Sequence, residues 1–219
     1  MCGRFTSLLS PEILAALFNV PPPDIEPRYN VAPAQMVAVI RNLSDHNRLD
    51  MMKWGFVPGW SKDLKSGSQL INARSENVAE KPAFRHAIKY RRCIIPASGF
   101  YEWSHAGGKK QPYYIQMEDH SPICLAGLWE AWKAPDGSGL EAFAILTTAA
   151  NKLVEPIHDR MPVILHPDTF TLWLSHNMHD PELLQPFYQP FPAAGMTARK
   201  APDLVNNPRF DDPACISRV

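Results

Sequence analysis

The sequence predicts an α+β fold with a curved, barrel-like antiparallel β core and peripheral helices. Three observations predict it. Most apolar or alternating stretches are short and bounded by Gly, Pro, Asn or Asp, which marks them as strands. The helical stretches are fewer and interrupt at irregular intervals, unlike the regular alternation of a doubly wound sheet. The 22 prolines among 219 residues, roughly twice the usual share, are spread along the chain and imply short elements with fixed loops.

In chain order, Ser10 followed by Pro11 and Glu12 starts a helix whose Ile13, Leu14, Leu17 and Phe18 share a face, and Pro21-Pro22-Pro23 ends it. Strands are expected at 36–41, 49–54, 69–73, 92–95, 113–117, 123–128, 141–147 and 163–165. Further helices are expected at 81–90, at 149–154, at 168–174 and after Asp180-Pro181. The Lys-, Gly- and Ser-rich stretches 62–68 and 105–110 are expected to be mobile loops. With no repeat and no linker, residues 1–219 form one expected domain.

Lys and Arg number 22, as do Asp and Glu, so formal charge is zero. A neutral chain does not coat nucleic acid or anionic membrane by bulk attraction, although local basic patches stay open to it. No apolar run is long enough to span a bilayer, and the first residues lack the pattern of a secretory signal. Cys2, Cys93, Cys124 and Cys215 lie far apart, which disfavours a zinc knuckle and a disulfide framework. A cytoplasmic monomer without metal or cofactor is the expectation.

Cys2, directly after Met1 and before Gly3, is the most informative residue. Removal of the initiator Met leaves a chain-terminal cysteine, with a thiol of pKa about 8.5 beside an α-amine of about 7.7–8.0. Such an amine is partly neutral near pH 7. It can serve as base for the thiol attacking an amide, or condense with an aldehyde so that the thiol closes a five-membered thiazolidine. Gly3 permits close approach of a ligand.

Three places set polar side chains within apolar stretches. Asn72 and Arg74 lie two apart on one strand face, Glu102 lies between Tyr101 and Trp103, and His158 precedes a fixed turn. Aromatic neighbours would partly desolvate Glu102 and raise its pKa toward the range of proton transfer. Each also has an ordinary reading, as an exposed strand Glu or a structural His. Arg4, Arg74 and Arg160 follow Cys2, Asn72 and His158 by two residues, so in extended chain each reactive group has a guanidinium beside it. Arginines in that arrangement suit a phosphodiester strand. In the loop Trp54-Gly55-Phe56-Val57-Pro58-Gly59-Trp60, Trp54 reads as core and Trp60 as a stacking platform for an unpaired base.

Met1-Cys2-Gly3-Arg4-Phe5, Pro27 to Pro33, Trp54 to Trp60, Asn72 to Glu76, Gly99 to Trp103 and His158 to Pro162 together resemble the SOS-response-associated peptidase (SRAP) family over essentially the whole chain. The resemblance implies a single SRAP domain that binds abasic sites in single-stranded DNA and joins them covalently through Cys2, shielding the site from strand cleavage. It implies roles for Cys2 as nucleophile, Asn72 as orienting amide, Glu102 as proton shuttle and His158 as acid/base group. Gly3, Arg4, Trp60, Arg74 and Arg160 fall on the implied DNA-binding surface. Ser61 stands where some members carry a further aromatic. The peptidase of the family name is expected to extend no further than exposing Cys2. Two rivals remain at this level: an N-terminal-nucleophile amidohydrolase, and a noncovalent reader of modified DNA.

Overall fold

A computed structural model describes residues 2–43, 46–62, 70–105, 108, 110–134 and 136–219. Five of its strands pair in a ring: β3 (Met36–Leu43), β4 (His46–Trp54), β10 (Gly139–Ala149), β9 (Ile123–Lys133) and β6 (Arg92–Ala97), which returns to β3. The barrel is therefore closed, leaving none of these strands as a free edge. One joint is parallel, where Ala142 and Phe143 face Lys53 and Trp54. The other four are antiparallel.

Two short strands lengthen the wall beyond the end of β4. β5 (Asn72–Arg74) runs parallel to β10, and β11 (Arg160–Pro162) runs antiparallel to it. Thr147 of β10 pairs with both Arg74 and Pro162, so the two strands occupy opposite edges of β10. That arrangement brings stretches of chain 86 positions apart onto one strand end.

A second sheet of five antiparallel strands has the order β12 (Met196–Lys200), β8 (Gln111–Met117), β7 (Gly99–Ser104), β1 (Arg4–Ser7) and β2 (Arg28–Val31). The chain passes from barrel to sheet at Ser98, whose N–H donates to Thr6 O at 2.9 Å while its Oγ accepts from Leu8 N at 2.9 Å. Gly99 is needed immediately after it. A Cβ there would lie 2.5 Å from the Tyr114 ring, which is itself fixed by a 2.9 Å hydrogen bond between its hydroxyl and Thr6 Oγ1. Gly99→Ala is expected to destabilise by about 1–3 kcal/mol through overpacking. Thermal unfolding should show a lowered midpoint.

Period-two alternation divides the core between the two faces of the barrel wall. Phe143 and Ile145 pack with Phe5, Trp54 and Phe100, while Ala144 and Leu146 pack with the helical residues Leu14, Phe18 and Trp173. α1 (Pro11–Phe18) starts as its sequence dictates, with Ser10 Oγ accepting from Ile13 N and Pro11 at the first turn, and ends at Asn19 in the left-handed conformation. α2 (Ala87–Tyr90) and α3 (Phe170–Leu174) are short, and a 3₁₀ turn at Pro167–Thr169 leads into α3. None of the described helices is long and apolar enough to cross a membrane.

The α+β barrel expectation holds, with corrections to particular elements. Residues 149–154 are not helical. β10 continues through Ala149, and Asn151 Oδ1 then accepts from Leu153 N and Val154 N, a local bond that favours turns over helix. Of 81–90, only Ala87–Tyr90 is α-helix, the preceding residues forming turns. The segment after Asp180 is a 3₁₀ helix, Pro181–Tyr188, with Pro186 inside it. The pairing expected at 163–165 is one bridge, Ile164 to Leu125. β1, β2, β7, β11 and β12 lie outside the expected strands. Stretch 63–68, residues 106, 107 and 109, and the start of strand 69–73 lie outside the described residues.

Candidate functional site

The segment before β1 places Cys2 at 0% exposure in the cluster that holds Phe5, Trp54 and Phe100. Asn72, the first residue of β5, donates from Nδ2 to Cys2 O at 2.9 Å. Its Oδ1 is also buried and has no hydrogen-bond partner among the described residues. An acceptor beside residue 2 is thus left for a donor.

Glu102 projects from the middle of β7 and is 1% exposed. Burial pushes its carboxyl pKa up, while the amino terminus and His158 pull it down. The thiol of Cys2 is pushed up as well, by burial first and then by the charge of Glu102. These mutual effects link Cys2, Glu102 and His158 electrostatically. The sequence was right that Glu102 is desolvated, but its flanking aromatics are not the cause. Alternation turns Tyr101 to the other face, against Tyr114 and Val205, and Trp103 packs on that same cluster. Phe100 and Cys2 belong to the core cluster on Glu102's own face.

His158 closes the turn that leads into β11. Its Nδ1 accepts from Arg160 N at 2.9 Å, which places the neutral ring's proton on Nε2. Asp159 Oδ1 also lies 2.8 Å from Nδ1, an interaction that needs the proton there instead. In the neutral ring the backbone donor is the satisfied partner.

The three arginines are placed differently from one another. Arg74 shares a strand face with Asn72, as the spacing predicts, and is exposed. Arg4 does not accompany Cys2, because β1 starts at Arg4 and Cys2 lies outside the strand. Its Nη1 donates to Asn30 Oδ1 at 2.9 Å and to Val205 O at 2.5 Å. Arg160 grips Glu76 through both terminal nitrogens and Thr147 O at 2.6 Å through one of them. Gly3 is half-buried between Cys2 and β1. Trp54 is core, donating from Nε1 to Ile71 O at 2.9 Å, whereas Trp60 is 70% exposed. Two bonds in the Trp60 loop run from Ser61 N to Pro58 O and from Trp132 Nε1 to Ser61 O.

Residues 1–208 match the family described as SOS response associated peptidase (SRAP). The chain belongs to the SRAP family. It is 42% identical to the abasic site processing protein YoqW of Bacillus subtilis over 99% of each chain, and 35% identical to the abasic site processing protein YedK of Escherichia coli over 83% of each. A crystal structure of a protein from Bacteroides thetaiotaomicron shares the fold with a TM-score of 0.89 at 27% identity, covering 100% of both chains.

Within this SRAP chain, sequence reasoning passed over several residues that build the site. Asn30 is fully buried and bonds Arg4, Val205 O, Asn207 O and Phe210 O, tying the C-terminal segment across β1 and β2. Asp211 accepts from Tyr29 N at 2.6 Å and Asn30 N at 2.9 Å. Glu76 ends the Asn72–Glu76 motif, yet its sequence setting alone suggested no role for it. Asn30 and Glu76 both lie in stretches that carry the SRAP resemblance, which is the signal that could have found them.

Proposed function

We propose that this SRAP protein captures abasic sites in single-stranded DNA as a covalent thiazolidine at Cys2. The observation that carries the reading is Asn72 Nδ2 bonded to Cys2 O, with the charge of Glu102 acting on the Cys2 thiol and His158 acting on Glu102, in a family whose relatives YoqW and YedK are named abasic site processing proteins. With Met1 attached, the nitrogen of Cys2 is an amide and cannot condense with a carbonyl. Its removal unmasks the amine.

An abasic deoxyribose opens to an aldehyde. The Cys2 amine adds to that carbon and water leaves, giving an imine. Glu102, raised in pKa by its burial, holds a proton at neutral pH more readily than an exposed Glu and passes it to the departing hydroxyl. The thiol then adds across the imine, its sulfur bonding to carbon and its proton going to nitrogen. Closing the ring removes the imine that would otherwise promote loss of the 3′ phosphate. Asn72 holds the Cys2 carbonyl and offers Oδ1 to the amine, which fixes the nucleophile's orientation. His158, whose Nδ1 is fixed by Arg160 N, is assigned the acid/base role in opening the sugar ring, in which the ring oxygen takes a proton as the C1′ hydroxyl gives one up.

A buried nucleophile favours a strand without a partner, because the sugar must be turned inward to reach it. Exposed Trp60 supplies a face for a neighbouring base. Trp60→Ala is expected to weaken single-strand binding by about 1–3 kcal/mol without lowering the melting midpoint. The test of the reading is a denaturing gel of protein incubated with one abasic oligonucleotide, single-stranded or annealed. Retention of the single strand above the duplex is expected; no retained band, or equal bands, contradicts it.

A further inference from the structure

The guanidinium of Arg160 is already holding an anion. Glu76 presents both carboxylate oxygens to its two terminal nitrogens, the second at 3.0 Å, and Thr147 supplies further acceptors to the same fork. The arginine is 13% exposed and the carboxylate 53%, so Glu76 is the outer member of the pair. It follows β5 directly in the 3₁₀ turn Ser75–Asn77, two residues from exposed Arg74, and both guanidinium charges hold its pKa down, Arg160 chiefly through its hydrogen bonds. A DNA phosphodiester offers what this carboxylate offers, two oxygens sharing one negative charge in a geometry that matches the fork. Beside it opens a cavity of about 570 Å³ whose lining includes Glu80 and Glu182. Negative charge on that flank further opposes a strand.

We propose that Glu76 is a specificity-determining residue, its carboxylate occupying the seat on Arg160 that a DNA phosphate takes. Undamaged strands must displace it to gain one contact, so they leave readily, and lasting retention is confined to strands that Cys2 captures. The proposal rests on the single-strand reading above. Its chemistry is an exchange of anions with no bond made or broken.

The test uses an undamaged single-stranded oligonucleotide titrated with the full chain and with Glu76→Gln, Arg160→Ala and the double variant over a range of salt. Glu76→Gln is expected to bind several-fold more tightly at low salt, with a salt slope steeper by about 0.7 for one added phosphate contact. Adding Arg160→Ala should cancel that gain. Glu76→Ala provides a second removal of the charge if the Gln variant melts early. Binding no tighter than the parent in both Glu76 variants, or a gain that survives loss of Arg160, overturns the proposal. Parallel incubation of the parent with an abasic strand separates the two claims. A stable adduct with unchanged intact-strand binding by both Glu76 variants sinks the role of Glu76 alone, whereas no adduct sinks the underlying reading.

Discussion

Cys2→Ala, with Met1 removed, is expected to yield no stable adduct with an abasic single strand, while its binding of an intact strand is expected to stay near that of the parent. The variant still begins with an amine beside Asn72, so imine formation continues. What it lacks is the sulfur that closes the ring. Borohydride should therefore trap the Ala variant as a reduced amine, and without reductant the imine should either hydrolyse or lead to strand cleavage. Denaturing gels run with and without borohydride distinguish these outcomes. A reductant-independent adduct in the Ala variant contradicts the role assigned to sulfur.

Glu102→Gln is expected to slow adduct formation by about 10²- to 10⁴-fold, the range for loss of a positioned proton donor or acceptor. Gln has nearly the shape of Glu102, which is 1% exposed, but cannot exchange a proton. Binding of the strand should be retained, so the loss belongs to the rate of the bound complex. Burial is the largest cause of the raised Glu102 pKa, which also fixes a stability effect. Below the carboxyl pKa of the unfolded chain, both states are protonated and the group is neutral toward folding. As pH rises above it, the unfolded chain releases its proton first, and stability falls until the folded group also ionises. Glu102→Gln is exempt from that loss. Its melting midpoint relative to the parent should climb from acid toward neutral pH, and a constant difference would contradict the assigned burial effect.

The reach of the sequence was set by what is local. α1 was legible because Ser10, Pro11 and its apolar spacing act within a few residues. β1 and β2 were not, because each is four residues long and gains its identity from partners distant in sequence. The expected helix at 149–154 failed where Asn151 satisfied neighbouring amides itself. At the site, the spacing argument held at Asn72 and Arg74 because both lie in β5. It failed at Cys2 and Arg4 because only Arg4 is in a strand. The prolines were read as marks of fixed loops, yet Pro96 and Pro162 lie inside β6 and β11. The candidate reactive side chains could be picked out one by one, whereas the pairing of Arg160 with Glu76 depended on β5 and β11 meeting at Thr147.

The most direct test of the thiazolidine is the mass of the attached peptide. A crosslinked sample is digested with nuclease and then with trypsin, without any reductant. Cleavage after Arg4 releases Cys2-Gly3-Arg4, and the account predicts this peptide carrying the abasic sugar phosphate with the loss of one water and no free thiol. Attachment at a lysine, a peptide that still contains Met1, or a product that survives only after borohydride adds two hydrogens would contradict it.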